Sequence, residues 1–113
     1  MKIYHNPRCS KSRQTLQLLE ERHLEAEVVE YLTAPPSAKE LSTILEMLGL
    51  EPRQLMRTTE VEYRELGLND ESLSREQLIA AMVGNPILIE RPIVINNGRA
   101  AIGRPPEAIL DII

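Results

Sequence analysis

The residue best suited to nucleophilic chemistry in this chain is its only cysteine, Cys9. It follows directly after the segment from His5 to Arg8, where a predicted strand ends and a predicted helix begins. Free N–H groups and partial positive charge at a helix N-terminus stabilise a thiolate, and Lys11 and Arg13 add cations nearby. A lone cysteine is most often a small buried hydrophobic residue. Its position at the carboxyl end of a strand, where α/β proteins bind ligands, favours a reactive thiol.

The chain offers no second thiol. Ser12 stands where a dithiol motif would carry its second cysteine, so a resolving thiol must come from another molecule. The Ser12 hydroxyl lies one helical turn beyond Cys9 and can donate a hydrogen bond to the sulfur, although a tolerated helix residue is the simpler interpretation. His5 ends the predicted strand near the same turn, but a lone histidine is more often structural than catalytic.

Two arginines precede prolines in the C-terminal third. Proline favours an extended backbone conformation for the preceding residue. The directions in which the side chains of Arg91 and Arg104 can point are therefore limited. One leads into the third predicted strand and the other follows the fourth, near ends of the sheet that can face the Cys9 turn. Guanidinium groups are well suited to bind tetrahedral oxyanions. Arg57, in the middle of the chain, can contribute a third guanidinium group to an oxyanion site formed with Arg91 and Arg104. Each arginine taken alone is most often solvated surface, so their spacing does not establish a site.

A strand, a helix and a second strand position the cysteine. Residues 2–4 predict a short strand, and residues 27–31, rich in β-branched side chains, predict another. Between them, residues 9 to about 22 contain no glycine or proline and have a partly helical apolar spacing. A helix of that length between two strands forms a βαβ unit, so we expect a parallel pair with a right-handed crossover.

The middle of the chain, about residues 37–84, predicts a helical insert. Ser37 and Ser74 each begin a capping box, with a Glu or Gln three residues later. Apolar residues recur at helical spacing after each box, and Gly49 is a suitable C-cap for the first helix. A shorter helix is expected over residues 60–66.

The C-terminal third returns to strands. Asn97-Gly98, the strongest short signal for a hairpin, separates the apolar runs 93–95 and 100–102. Pro105 then begins a last helix, because proline is tolerated in a first helical turn. The order of βαβ, helical insert and ββα predicts one α/β domain over residues 1–113, a thioredoxin-like mixed four-stranded sheet flanked by helices.

Composition excludes several classes of protein. With 113 residues and a net charge of -4, the chain is expected to form a single domain without a broadly basic nucleic-acid surface. No apolar run is long enough to span a membrane, and no signal peptide is expected at the N-terminus. One cysteine cannot form an internal disulfide, which favours a reducing, cytoplasmic location. Disulfide scaffolds, zinc fingers, membrane proteins and disordered tails are excluded.

Several segments in order give the chain a resemblance to a known family. The segment from His5 to Thr15 resembles the active-site segment of the glutaredoxin-coupled arsenate reductases. The similarity covers essentially the whole chain and includes Tyr31-Leu32, Pro35-Pro36, Leu55-Met56-Arg57, Tyr63, Glu65-Leu66-Gly67-Leu68, the segment from Asn85 to Val94, and Arg104-Pro105. The resemblance implies a thioredoxin-like fold with a helical insert, in agreement with the order of elements.

The resemblance also implies a role for each candidate site residue. It implies that Cys9 is the nucleophile, that His5 tunes the cysteine environment and that Ser12 supports the thiolate. Three arginines match the family's oxyanion-binding residues: Arg57, Arg91 and Arg104. Pro92 matches a proline that is cis beside the active cysteine in thioredoxin-like folds.

The reaction implied by the resemblance is reduction of arsenate to arsenite through a cysteine–thioarsenate intermediate, as in arsenic detoxification. The Cys9 thiolate attacks arsenic(V) while the arginines offset the developing charge. Glutathione, as co-substrate, then attacks the adduct, and glutaredoxin completes electron delivery. We expect a monomer with no tightly bound cofactor, no metal site and no nucleic-acid or membrane partner. Its expected partners are arsenate or a similar oxyanion, glutathione and glutaredoxin.

The chain departs from the family pattern next to the cysteine. Arg8, Ser10 and Lys11 stand where the reductases that it resembles carry smaller or uncharged residues. The two additional cations favour anion binding and can alter which anion or thiol is accepted. Together with the helix start, they predict that the pKa of the Cys9 thiol lies below that of a free cysteine.

Two other functions remain open. One is a monothiol oxidoreductase acting on glutathione mixed disulfides or another oxyanion, which needs Cys9 but little from the three arginines. The other is a non-enzymatic regulator resembling the Spx family, which shares the fold and binds RNA polymerase. The His5-Asn6-Pro7 segment and the full set of arginines count against a regulator, because a protein-binding module has less reason to keep them.

Overall fold

Four short strands form one mixed sheet in the computed structural model, which describes residues 1–113. Strand β1 (Lys2–His5) pairs in parallel with β2 (Glu27–Glu30). On its other side β1 pairs antiparallel with β3 (Ile93–Asn96), which pairs antiparallel with β4 (Arg99–Ile102). The order β2-β1-β3-β4 makes β1 an interior strand, so the loop that follows it emerges between β2 and β3. The predicted mixed four-stranded sheet is confirmed.

Two helices cover one face of this sheet. Helix α1 (Ser10–Glu21) connects β1 to β2, and a 3-10 helix (Pro106–Ile112) follows β4. Side chains of both helices meet those of the central strands in one apolar core: Ile3, Leu19, Val94, Ile109 and Ile112. This packing fixes the position of α1, and therefore of the cysteine at its start.

The predicted last helix forms, as the 3-10 helix Pro106–Ile112. Its buried residues fall at every third position, Pro106, Ile109 and Ile112. In a 3-10 helix side chains three residues apart eclipse one another. This geometry therefore places all three apolar side chains on the face that packs against the sheet.

The short-range signals of the sequence are confirmed. Both capping boxes form, at Ser37 and at Ser74, and Gly49 adopts the left-handed conformation of a C-cap. Asn97 and Gly98 have φ values of 51° and 76°, the positive values that a two-residue hairpin turn requires. Each of these features depends on a few neighbouring residues, which explains why pattern alone predicts them.

The chain divides into two compact units, one of residues 1–34 with 91–113 and one of residues 35–90. The second unit contains the predicted helical insert, together with two short elements that the sequence pattern did not predict, α3 and a 3-10 helix. Its helices are α2 (Ala38–Leu48), α3 (Pro52–Leu55), α4 (Val61–Glu65), α5 (Arg75–Gly84) and the 3-10 helix Pro86–Leu88. Helix α5 contacts α2, α3 and this 3-10 helix. None of the helices is long and apolar enough to cross a bilayer.

Candidate active site

The single cysteine is the residue that precedes helix α1. Its backbone is extended, with φ -95° and ψ 123°, and its N–H donates to the Asn6 carbonyl at 3.0 Å. The Arg8 N–H donates to the Asn6 side-chain oxygen, also at 3.0 Å. Asn6 therefore stabilises the turn after β1. This turn places Cys9 at the N-terminus of α1, where backbone N–H groups have no partner within the helix.

Opposing influences act on the thiol of Cys9. The residue is 8% exposed, and burial is the largest influence, raising its pKa. The backbone N–H of Ser12, the charge of Arg91 and the backbone N–H of Lys11 all lower it, and together they outweigh burial. The pKa of the Cys9 thiol therefore lies below its usual value, as the sequence predicted. A depressed pKa gives a thiolate, the nucleophilic form, at a lower pH.

Two guanidinium groups lie beside the sulfur. Arg91 precedes β3 and Arg104 follows β4, and both peptide bonds to the following prolines are cis. The cis bond predicted at Pro92 is thus confirmed, while the second was not expected. Arg104 Nη1 is 3.8 Å from the Cys9 sulfur and donates to the Arg91 carbonyl at 3.3 Å. The Arg91 guanidinium also stabilises the thiolate through its charge and a hydrogen bond.

The side chains of His5 and Ser12 form a buried pair behind the cysteine. His5 Nδ1 and Ser12 Oγ are 2.6 Å apart, and the Asn6 N–H donates to the same hydroxyl oxygen at 3.0 Å. The sequence suggested that this hydroxyl donates to the Cys9 sulfur. In the structure it contacts His5 and Asn6, and the backbone N–H of Ser12 acts on the thiol. The third residue of a helix directs its N–H toward the preceding cap, which explains this difference.

The pKa of His5 is lower than that of an ordinary histidine. Burial is the main cause, because it disfavours the charged imidazole. The Glu30 carboxylate opposes this effect, and the positive charge of Arg13 adds to it. At Nδ1, a neutral imidazole can either accept a hydrogen bond from the Ser12 hydroxyl or donate one to it, depending on the tautomer.

Arg57 belongs to the other unit, residues 35–90. Its N–H donates to the Leu88 carbonyl at 2.7 Å. Its guanidinium Nη1 is 2.8 Å from Glu60 Oε1, and its Nε is 3.9 Å from Glu90 Oε1. The structure thus gathers five of the six predicted site residues within one unit: Cys9, His5, Ser12, Arg91 and Arg104. An oxyanion-binding role for Arg57 stays a prediction.

Two charged residues contribute to the site in ways that the motif did not indicate. Arg13 Nη1 donates to the Pro7 carbonyl at 2.9 Å and so ties helix α1 to the turn before Cys9. Glu30 is the register partner of His5 in the parallel β1–β2 pair, which explains its effect on the imidazole. The predicted pairing of these strands, once extended to their last residues, could have identified Glu30.

Comparisons with known proteins point to one family. The family model described as the ArsC family matches residues 4–112. An arsenate reductase of Neisseria meningitidis (serogroup A / serotype 4A, strain DSM 15465 / Z2491) is 53% identical, covering 96% of this chain and 94% of the relative. The uncharacterized Escherichia coli (strain K12) protein YfgD is 59% identical, covering 100% of this chain and 96% of the relative. These matches extend over both units of the chain.

A solved structure agrees with the sequence matches. The arsenate reductase from Vibrio cholerae superimposes with a TM-score of 0.97 at 52% identity. The alignment covers 99% of this chain and 96% of that structure. The fold described above is therefore that of the solved relative over nearly its whole length.

Proposed function

This chain belongs to the ArsC family, and from that membership we propose that it reduces arsenate to arsenite at Cys9. The observation that best supports this proposal is a low-pKa thiol beside the guanidinium groups of Arg91 and Arg104. The thiolate is a nucleophile, and the guanidinium groups are charged donors suited to a tetrahedral oxyanion. Nucleophile and oxyanion donors are both needed for covalent reduction of arsenate.

In the first step the Cys9 thiolate attacks arsenic(V) of bound arsenate. A sulfur–arsenic bond forms, one arsenic–oxygen bond breaks, and the oxygen leaves as water after protonation from solvent. Arg91 and Arg104 offset the negative charge that develops on the remaining oxygens. His5 holds the Ser12 side chain at the start of α1, which keeps the Ser12 N–H directed at the sulfur.

The two electrons for arsenic come from external thiols, because the chain has no second cysteine. A glutathione thiolate displaces another oxygen, as water, and forms a second sulfur–arsenic bond. A glutaredoxin thiolate then attacks the glutathione sulfur and forms a mixed disulfide. The electron pair of the broken sulfur–arsenic bond remains on arsenic, which becomes arsenic(III). Hydrolysis of the remaining bond releases arsenite and restores the Cys9 thiolate.

Arsenate-dependent oxidation of NADPH tests the proposal, with glutathione, glutathione reductase and glutaredoxin supplied. We expect turnover with the wild type, none with Cys9→Ser, and a rise in the KM for arsenate in Arg91→Gln and Arg104→Gln. Arg22→Gln, at the exposed end of α1, is the matched control and should behave as wild type. Circular dichroism of each variant confirms that the fold is retained.

Other outcomes of the same assay separate the alternatives. Turnover of a glutathione mixed disulfide without arsenate turnover, insensitive to Arg91→Gln, would identify a monothiol oxidoreductase. The absence of every thiol-dependent activity, with Cys9 still open to alkylation, would favour a protein-binding regulator. Either result contradicts the assignment of arsenate as substrate.

A further inference from the structure

The hydroxyl group of Thr15 connects the helix that begins after Cys9 to a distant part of the chain. Thr15 is in α1 and is fully buried. Its hydroxyl group donates to the Lys11 carbonyl at 2.8 Å and lies 3.4 Å from the carbonyl oxygen of Gly103, so the proton is shared between two acceptors. Gly103 directly precedes Arg104. One buried hydroxyl group thus joins the first turn of α1 to the segment that carries Arg104.

Gly103 extends this connection to the segment of Arg91. Its N–H donates at 2.9 Å to the carbonyl of Pro92, the residue after Arg91. Thr15, Gly103 and Pro92 are all buried, so water does not compete for these hydrogen bonds. The residues next to both arginines are therefore held against the helix whose start carries the nucleophile.

Close packing makes this connection rigid. The space beside Gly103 is filled by the side chains of Thr15 and Pro92, since an added Cβ would overlap both. A displacement of Gly103 passes directly to Arg104, the next residue, whose Nη1 is 3.8 Å from the Cys9 sulfur. A contact at this distance weakens when the donor moves only slightly away.

We propose that Thr15 is a positioning residue of the active site, whose hydroxyl group sets the distance between the Cys9 sulfur and the two guanidinium groups beside it. These groups belong to Arg91 and Arg104. Thr15 acts through Gly103 rather than by contact with the reacting atoms. The kinetic consequence of this role rests on the proposed function, whereas its effect on the thiol does not depend on the substrate.

Two substitutions separate the hydroxyl group of Thr15 from the shape of its side chain. Thr15→Ser keeps the hydroxyl group and loses the methyl group. Thr15→Val keeps the shape but places a methyl group against the Gly103 carbonyl, so it should displace Gly103 together with Arg104. A positioning hydroxyl group predicts that Thr15→Ser behaves as wild type and Thr15→Val does not. A merely space-filling side chain predicts the reverse order.

The pH dependence of Cys9 alkylation gives a readout that needs no substrate. We expect the pKa of the Cys9 thiol to rise in Thr15→Val, because the guanidinium groups that favour the thiolate move away, and to stay at the wild-type value in Thr15→Ser. Thr43→Val is the matched control, because the exposed Thr43 hydroxyl donates to the Lys39 carbonyl, also four residues earlier in a helix. A wild-type alkylation profile in folded Thr15→Val, or a shift in Thr15→Ser alone, would overturn the proposal.

Two more variants keep the test independent of stability. Thr15→Ala removes the hydroxyl group without adding bulk, and it should raise the thiol pKa even if Thr15→Val does not fold. Ile79→Val changes a buried residue of the other unit, so any shift that it produces reflects loss of stability alone. Equal shifts in Thr15→Ala and Ile79→Val would contradict a positioning role.

Steady-state kinetics connect Thr15 to the reaction. In the arsenate assay, Thr15→Val should raise the KM for arsenate about fivefold, the effect of weakening one charge-assisted contact, while Thr15→Ser and Thr43→Val keep the wild-type KM. Failure of every protein to reduce arsenate would refute the proposed function and leave the alkylation result intact. Normal arsenate turnover with a wild-type KM in Thr15→Val would refute only the positioning role.

Discussion

Replacing Gly103 by alanine tests the packing directly before Arg104, one of the two arginines beside the Cys9 sulfur. Gly103 is buried after β4, directly before Arg104, and its N–H donates to the Pro92 carbonyl at 2.9 Å. An added Cβ would lie 2.8 Å from Pro92 Cγ and 3.0 Å from Thr15 Cγ2, and it would also overlap Thr15 Oγ1. The φ of Gly103 is outside the left-handed region, so glycine is needed here for space rather than for backbone freedom.

The cost follows from the stiffness of the two neighbours. The Pro92 ring is rigid, and Thr15 is fully buried with its hydroxyl donating to the Lys11 carbonyl at 2.8 Å. Overpacking of this kind costs about 1–3 kcal/mol. An unfolding entropy of about 2.1 cal/mol/K per residue, times 113 residues, is about 0.24 kcal/mol/K. A loss of about 2 kcal/mol therefore lowers the Tm by about 8 °C.

Urea denaturation followed by circular dichroism, with thermal melts, measures this loss in Gly103→Ala. Gly84→Ala is the matched control, because a Cβ at Gly84 meets no atom within 4 Å and should not destabilise the fold. Adding Thr15→Ala to Gly103→Ala removes both overlapping atoms of Thr15 and should restore part of the stability. A Gly103→Ala protein as stable as Gly84→Ala would refute the packing argument.

Three further predictions concern charge and capping. Arg91→Gln should raise the pKa of the Cys9 thiol, because the guanidinium charge and hydrogen bond both favour the thiolate; the pH dependence of alkylation rates measures this. Burial lowers the pKa of His5, so the unfolded chain binds a proton more readily than the folded one. The free energy of unfolding should therefore decrease as the pH falls below about 6.5, and His5→Gln should flatten this decline in urea titrations. Ser37→Ala should lower the free energy of unfolding by about 1 kcal/mol, because the Glu40 N–H loses its side-chain acceptor.

Each of these has an outcome that would contradict it. An unchanged alkylation profile in Arg91→Gln would mean that the backbone N–H groups alone depress the thiol pKa. If His5→Gln keeps the wild-type decline while the exposed His23→Gln removes it, His5 is not the responsible group. If the exposed Ser10→Ala costs as much stability as Ser37→Ala, the capping box is not the cause of the loss.

Features that depend on near neighbours were predictable from the sequence. The serines that begin the capping boxes, the Asn97-Gly98 turn and Cys9 at a helix start act through hydrogen bonds and backbone preferences within a few residues. The roles assigned to His5 and Arg91 came from a resemblance to a family, since each of these residues alone has a simpler structural interpretation. Local physics indicated Cys9 as the candidate nucleophile, and the resemblance supplied its candidate partners.

The positions of these candidate partners around Cys9 depend on the tertiary structure. Arg104 lies 95 residues beyond Cys9, and only the pairing of β4 with β3 and β1 brings its guanidinium to the sulfur. The backbone N–H groups of Ser12 and Lys11 lower the thiol pKa locally, whereas the burial that raises it and the Arg91 guanidinium that lowers it arise only in the folded chain. The register of β1 with β2 places Glu30 beside His5. The sequence thus identified Cys9 at a helix start as the candidate nucleophile, while the closure of the sheet brought Arg91 and Arg104 to its sulfur, because these arginines are far from Cys9 in the chain.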